Sequence, residues 1–301
     1  MRDTQDAGAT GATDATDAVD AGKAQRVATT TIFHCSDLHF GHPAVPEQYE
    51  AIEAVIAEGG FDVVAVSGDL SQRAKAGEFQ RARVFLQHAG RHSEVIVVPG
   101  NHDVAWWKAP LGFGNPPAMF EKYRRYISEE LEPVLRIAGA TIVGLNTAQG
   151  VLRETLTWNL RDISIIGHLR KRQIERARAE FEASRAGDAR VIVMHHNPVK
   201  GELSQRHGLK RTSHILGAFA EMGVDIVLCG HDHQEAVHYI EHTRKGTVIS
   251  TAGTISNRAR GGRPGSVNSI RLTSESIEVS TLLWSADARA FVAGPARCFA
   301  R

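Results

Sequence analysis

The chain has 301 residues, 42% hydrophobic and 23% charged, the proportions of a globular chain long enough for one large domain or two small ones, which excludes a disordered chain, a fibre and a disulfide-stapled miniprotein. The 35 basic side chains stand against 34 acidic ones for a net charge of +1, so no global field gathers DNA or anionic lipid, and any nucleic-acid role needs a local site. Cys35, Cys229 and Cys298 lack zinc-finger or C-x-x-C spacing and fit free thiols in a reducing compartment, the first two as core residues ending apolar runs.

Residues 1–26 form an Ala/Thr/Gly/Asp tract expected to be a disordered tail. It has no apolar signal region, and no later apolar run is long enough to cross a bilayer, so a cytoplasmic chain with no membrane partner is expected. From Thr30 onward, short β-branched runs alternate with helical patterns. Runs at 30–36, 61–67, 94–99, 140–146, 190–195 and 224–229 suit strands buried on both faces. Between them, Pro46 to Glu58 is an amphipathic helix closed by Gly59-Gly60, and Glu78 to His88 repeats the pattern through Phe79, Ala82, Phe85 and Leu86. Leu169 to Ala186 is charged except for the stripe Ile174, Ala177, Phe181, the mark of a surface helix, and Arg170-Lys171-Arg172 reads as its solvated face. Residues 266–284 alternate around Ser-Glu-Ser as an antiparallel hairpin. The reading is one catalytic domain over 27–285, followed by a C-terminal extension over 286–301 that is either a tail or an interface strand.

Metal-capable side chains follow successive strands, at the edge where α/β sheets hold ligands. Asp37 and His39 follow the first, Gly68-Asp69 the second, and Gly100-Asn101-His102-Asp103 the third. His195-His196-Asn197-Pro198 and Gly230-His231-Asp232-His233 follow the last two. Singly each is weak, since most of the 15 histidines read as surface or satisfied core imidazoles. In this order, on consecutive strands, they define a site. The pattern resembles the calcineurin-like metallophosphoesterase superfamily over roughly residues 30 to 285.

The resemblance implies an α/β fold, a four-layer α-β-β-α sandwich of two mixed β-sheets with a dinuclear metal site at the strand C-terminal edge. It places Asp69 as the bridging carboxylate, Asp37, His39 and His233 with it on one ion, and Asn101, His195 and His231 with it on the other. Of the adjacent pair, His195 is taken as ligand over His196 because the family's metal histidine comes first, although Asn197 stands where close relatives often carry a second proline. Imidazole, carboxylate and amide without thiolate favour Mn, Fe or Zn over Ca or Mg. Two divalent ions less two carboxylates and a bridging hydroxide leave a net charge of about +1, which attracts phosphate esters, and water acidified by the ions is the nucleophile. His102 resembles the family histidine that contacts phosphate and assists the leaving oxygen. Asp103 is expected either to fix the His102 tautomer or to serve as a loop or capping acid.

Thr251-Ala252-Gly253-Thr254 with Asn257-Arg258-Ala259-Arg260 resembles the cyclic-nucleotide phosphodiesterase branch. The expectation is a phosphodiesterase of cyclic nucleotides or other small diesters. A phosphomonoesterase, a nuclease or a non-catalytic metal-bound interaction module remain alternatives, and the sequence does not give the oligomeric state. Arg258, Arg260 and Arg263 sit in a Gly-rich loop near the site, where they either meet a phosphate or base or form a solvated turn. Trp106, Trp107, Phe113 and Phe120, in the 104–139 insert, read as a lid, a stacking platform or a satellite apolar cluster.

Overall fold

The computed structural model of the chain describes residues 29–108, 116–150, 166–202, 205, 208–243 and 245–301. The expected N-terminal tail and Phe113 lie outside these residues. Strand β1 (Thr30–Cys35) is followed by helix α1 (Pro46–Gly59), β2 (Val63–Val66), α2 (Ala76–Ala89) and β3 (Glu94–Val97). Next come α3 (Glu121–Tyr126), β4 (Val134–Ile137), β5 (Ala140–Leu145), α4 (Lys171–Glu182), β6 (Ala189–His196), α5 (Thr212–Glu221) and β7 (Ile226–Gly230). The chain closes with β8 (Ala236–Ile240), β9 (Thr247–Thr251), β10 (Ser266–Leu272), β11 (Ser276–Ser285) and β12 (Ala290–Ala300).

The strands form two mixed sheets, in the orders β12-β11-β10-β1-β2-β3 and β4-β5-β6-β7-β9-β8. Side-chain alternation along each strand builds three apolar layers from them. Ile32, Val63 and Ala65 point inward against Val191, Val193, Ile226 and Leu228 of the other sheet. Their neighbours Phe33, Cys35, Val64 and Val66 point outward under Ile52, Ile56, Phe79 and Phe85 of α1 and α2. On the far side, Ile192, Met194, Val227 and Cys229 lie under Ala177, Phe181, Ile215 and Phe219 of α4 and α5. Fully burying one such side chain contributes about 1.5–3 kcal/mol, so the four-layer α-β-β-α order is the arrangement that covers both faces of both sheets.

α1 starts on Pro46 and ends at Gly60, whose φ of 62° is the left-handed cap that glycine adopts without strain. α4 buries Ala177 and Phe181 of the expected stripe, with Ile174 partly buried beside them, and exposes its charged face. The hairpin expected over 266–284 is β10–β11. The domain boundary at 285 needs correction, because β12 pairs with β11 from Ser285↔Ala290 to Ser276↔Ala300 and is the edge strand of the first sheet. Tyr239 of β8 stacks on Phe299 of β12, with ring centroids 5.4 Å apart, and ties the two sheets together along that margin. Phe120 joins Val104, Met119 and Ala148 in a small satellite cluster, while Trp107 is exposed.

Strands β1, β2 and β3 run parallel, as do β5, β6, β7 and β9. Both sets of carboxyl ends open at one edge of the sandwich. All the candidate ligands lie there.

Candidate metal centre

The turns after β1 and β2 continue the ladder beyond the strands: the Asp37 amide donates to the Gly68 carbonyl at 3.0 Å, and the His39 amide to the Asp69 carbonyl at 2.9 Å. Among the described residues, nine non-glycine residues have positive φ, and five of them are Asp37, His39, Asp69, His231 and His233. A left-handed backbone costs about 1–2 kcal/mol per residue for L-amino acids, so packing holds these side chains in strained poses at one point. Gly100 and Gly230 allow the turns to touch. A Cβ at Gly100 would collide with the amide and carboxylate of Asp69, and one at Gly230 with Ser36 and Asp37.

The geometry divides the seven side chains into two groups that share Asp69. In the first, His233 Nε2 lies 3.1 Å from His39 Nε2 and 3.2 Å from Asp37 Oδ1. His39 Nε2 is in turn 3.8 Å from Asp69 Oδ2. In the second, Asn101 Oδ1 lies 3.1 Å from both His195 Nε2 and His231 Nδ1, and His195 Nε2 is 3.3 Å from the same Asp69 Oδ2. The other Asp69 oxygen accepts the His102 backbone N–H at 2.8 Å. Asp69 Oδ2 is therefore the atom common to the two groups.

Outer hydrogen bonds orient the donor atoms. His195 Nδ1 pairs with the Ser67 carbonyl at 2.8 Å and His233 Nδ1 with the Arg258 carbonyl at 3.2 Å. A carbonyl accepts only, so these nitrogens carry protons and the Nε2 atoms face the site. Asp37 Oδ2 accepts the His231 amide at 2.8 Å, while buried Asp37 Oδ1 has no hydrogen-bond donor. Burial holds His39 and His231 at a pKa of about 3, as neutral imidazoles. Buried lone pairs converging in this way need a cation among them. Nitrogen and oxygen donors fit divalent ions in both groups.

Charge within the cluster is set by its own members. Burial opposes charge on Asp37 and Asp69, but the surrounding imidazoles hold both carboxyls below the usual range. Burial also opposes charge on His195, yet Asp69 at hydrogen-bond distance outweighs it and raises its pKa to about 9. Because this folded-state pKa lies above the ordinary 6.5, it contributes stability that is complete below pH 6.5 and lost as the pH rises through about 9. A metal-ligating imidazole must be neutral, so metal loading at pH 8 is expected to release about one proton per chain. Calorimetry in two buffers of different ionisation enthalpy measures this release. The His195 share of it should fall as the pH rises through about 9, and no release at all at pH 8 would refute the assignment of His195.

Two expectations about neighbouring residues resolve differently. Asp103 does not fix the His102 tautomer: its carboxylate accepts from the amides of Leu70, Ser71 and Gly100 and from the Ser71 hydroxyl, at 2.8 to 3.1 Å. It is a loop acid that clamps the turn bearing Asp69 to the turn bearing Asn101. Burial and nearby Asp69 push its pKa up to about 6 against those donors. His102 instead has its Nδ1 2.8 Å from the Gln72 carbonyl. His196 also lies within the second group, but its Nδ1 pairs with Thr147 Oγ1 at 2.7 Å and its ring leans on His231, centroids 4.6 Å apart. Asn197, at the family's second proline position, donates to Asp232 at 3.0 Å and joins the turns bearing His195 and His231.

The calcineurin-like phosphoesterase family profile matches residues 30–235. The chain belongs to this family. Among solved structures it is similar to purple acid phosphatase PPD1 from yellow lupin (Lupinus luteus) seeds, with 10% identity and a TM-score of 0.63, over 92% of this chain and 54% of that one. It therefore spans about half the length of that phosphatase. PhoD matches at 11% identity and a TM-score of 0.61, over 91% of this chain and 70% of the other. GAP50, the anchor in the inner membrane complex of Plasmodium, matches at 13% identity and a TM-score of 0.52, over 85% and 84% of the two chains. These likenesses show the shared fold. No curated protein sequence matches the chain, and no helix among the described residues is long and apolar enough to cross a membrane.

Proposed function

We propose that the chain is a phosphodiesterase acting on a small diester, such as a cyclic nucleotide, with two ions of Mn, Fe or Zn. The observation that supports the diester reading is the placement of the loop after β9, whose sequence resembles the cyclic-nucleotide branch. Thr254 Oγ1 donates to the Asp37 carbonyl at 2.6 Å, the Arg258 carbonyl accepts from His233, and the Arg258 side chain lies against His102. Buried Cys35 and Cys229, neither in a disulfide, support a reducing compartment such as the cytoplasm.

In this reading Asp37, His39, Asp69 and His233 would hold one ion, and Asp69, Asn101, His195 and His231 the other. When bound, the ions supply an acidified water and stabilise charge on the phosphoryl oxygens. His102 donates its Nδ1 proton to the Gln72 carbonyl, which aims Nε2 at the leaving oxygen; with a second proton on Nε2, the imidazolium would give that proton to the departing oxygen and end as the neutral Nδ1–H ring. Partly exposed Asn101, His102 and His231 form the open side through which the ester enters.

The test is hydrolysis of bis-p-nitrophenyl phosphate beside p-nitrophenyl phosphate by chelator-stripped protein, with and without manganese. Metal-restored activity mainly on the diester is expected. Preference for the monoester would replace this reading with a phosphatase.

A further inference from the structure

Three arginines follow β9 in one loop, and they differ in what holds them. Arg263 is neutralised by Glu235 at 3.0 Å and Glu202 at 3.2 Å. Arg260 is exposed. Arg258 is partly buried, and its Nη1 donates to Gln72 Oε1 at 3.1 Å and lies 3.3 Å from His102 Nε2. No carboxylate among the described residues pairs with it. A half-buried guanidinium held only by neutral acceptors carries an uncompensated charge, an arrangement that costs stability unless an anion visits.

The position of this charge is informative. The His102 ring stands edge-on to His39, centroids 4.9 Å apart, so the guanidinium flanks the group formed by Asp37, His39, Asp69 and His233. Its backbone is pinned on the same side, through its carbonyl to His233 Nδ1 and its amide to Ser256 Oγ at 3.3 Å. With the loop anchored at the main chain, the side chain is free to exchange partners. Arginine binds phosphoryl oxygens by charge-assisted, often forked, hydrogen bonds that are shorter and stronger than bonds to an amide or an imidazole.

We propose that Arg258 is a substrate-binding residue whose guanidinium takes a non-bridging phosphoryl oxygen of the ester, leaving Gln72 and His102 as it does so. The exchange has a second consequence. Before substrate arrives, Arg258 Nη1 occupies His102 Nε2, the atom needed at the leaving oxygen, and an anionic phosphoryl group draws it off. The ester thereby frees the histidine that acts on it, whereas a neutral molecule in the same space does not. The inference rests on the phosphoester reading of the site, and it holds for a diester or a monoester alike.

The test uses metal-loaded full-length wild type, Arg258→Ala, Arg258→Lys and Arg260→Ala. Metal content, inorganic phosphate binding by calorimetry, and steady-state kinetics on both nitrophenyl esters are measured. Arg258→Ala should keep its metal, because the carbonyl that serves His233 remains. Its affinity for phosphate should fall on the order of tenfold, as expected for loss of a charge-assisted hydrogen bond, and kcat/KM should fall on the order of 10²-fold. Arg258→Lys should recover part of the phosphate affinity, and Arg260→Ala should match wild type. Unchanged phosphate affinity in Arg258→Ala, or an equal loss in Arg260→Ala, would overturn the proposal, the second because it reduces the effect to the general charge of the loop. If wild type binds phosphate through Arg258 yet hydrolyses the diester no faster than the monoester, the diesterase reading fails and the role of Arg258 stands.

Discussion

Asp69→Asn is expected to lose metal at both positions. Asp69 Oδ1 is committed to the His102 amide at 2.8 Å, which leaves Oδ2 as the atom shared by the two groups, 3.8 Å from His39 Nε2 and 3.3 Å from His195 Nε2. An asparagine that keeps its oxygen on the His102 amide must turn its NH₂ inward, placing a donor where a cation requires a lone pair. The loss should exceed the roughly 10–100-fold in affinity typical of changes outside the ligands themselves. Metal analysis after dialysis against a fixed free-metal concentration decides the matter: two full sites in Asp69→Asn would rule out the shared role. A second readout is independent of activity. The proton on His195 is held by Asp69, so in chelator-stripped protein the His195 imidazole of the variant should titrate at a lower pH than in wild type, as followed by NMR.

Why the site was legible from sequence is clear in the strands beneath it. Val63 to Val66 is an unbroken apolar run because its alternate residues enter two different cores, one between the sheets and one beneath the helices. Runs of this kind mark buried parallel strands, and the residues just after them must lie at one sheet edge. The D-x-H, G-D and G-N-H-D blocks are therefore placed at that edge by sequence alone. Other features depend on contacts that sequence does not display. The positive φ of Asp37, His39, Asp69, His231 and His233 is imposed by tertiary packing, and only the glycines beside Asp69, Asn101 and His231 hint at how closely the turns approach.

Where sequence and structure differ, the causes are equally local. β12 does not show as a strand in the sequence because Gly294-Pro295 interrupts its alternation. The structure absorbs them at an edge, where a register shift between Ser280 and Leu282 bypasses a residue that cannot donate to the ladder. α5 carries weak sequence signals because its N-cap, Arg211, lies in the left-handed region without a side-chain cap and Gly217 falls in its interior. Asp103 was offered a catalytic task because a carboxylate next to a functional histidine suggests one, yet three backbone amides and a hydroxyl reach it first. Its sequence neighbour, His102, finds its partner thirty residues away, at Gln72.

His102→Ala is the complementary experiment to Asp69→Asn, because here the metal should stay and the chemistry should go. The bond from residue 102 to Asp69 uses the backbone N–H, which alanine retains, so the shared carboxylate keeps its support. What disappears is Nε2, which in the proposed mechanism faces the leaving oxygen and is oriented by the Nδ1 bond to Gln72. General acid assistance contributes about 10²–10⁴-fold, and the loss should fall on kcat more than on KM, since Arg258 remains to hold the phosphoryl group. The size of the loss should depend on the leaving group. A nitrophenolate departs readily without a proton, so bis-p-nitrophenyl phosphate should report the lower end of that range, whereas an alkyl diester, whose alkoxide needs the proton, should report the upper end. Equal losses on the two substrates would remove His102 from the leaving-group side, and loss of metal would make it a structural support for Asp69.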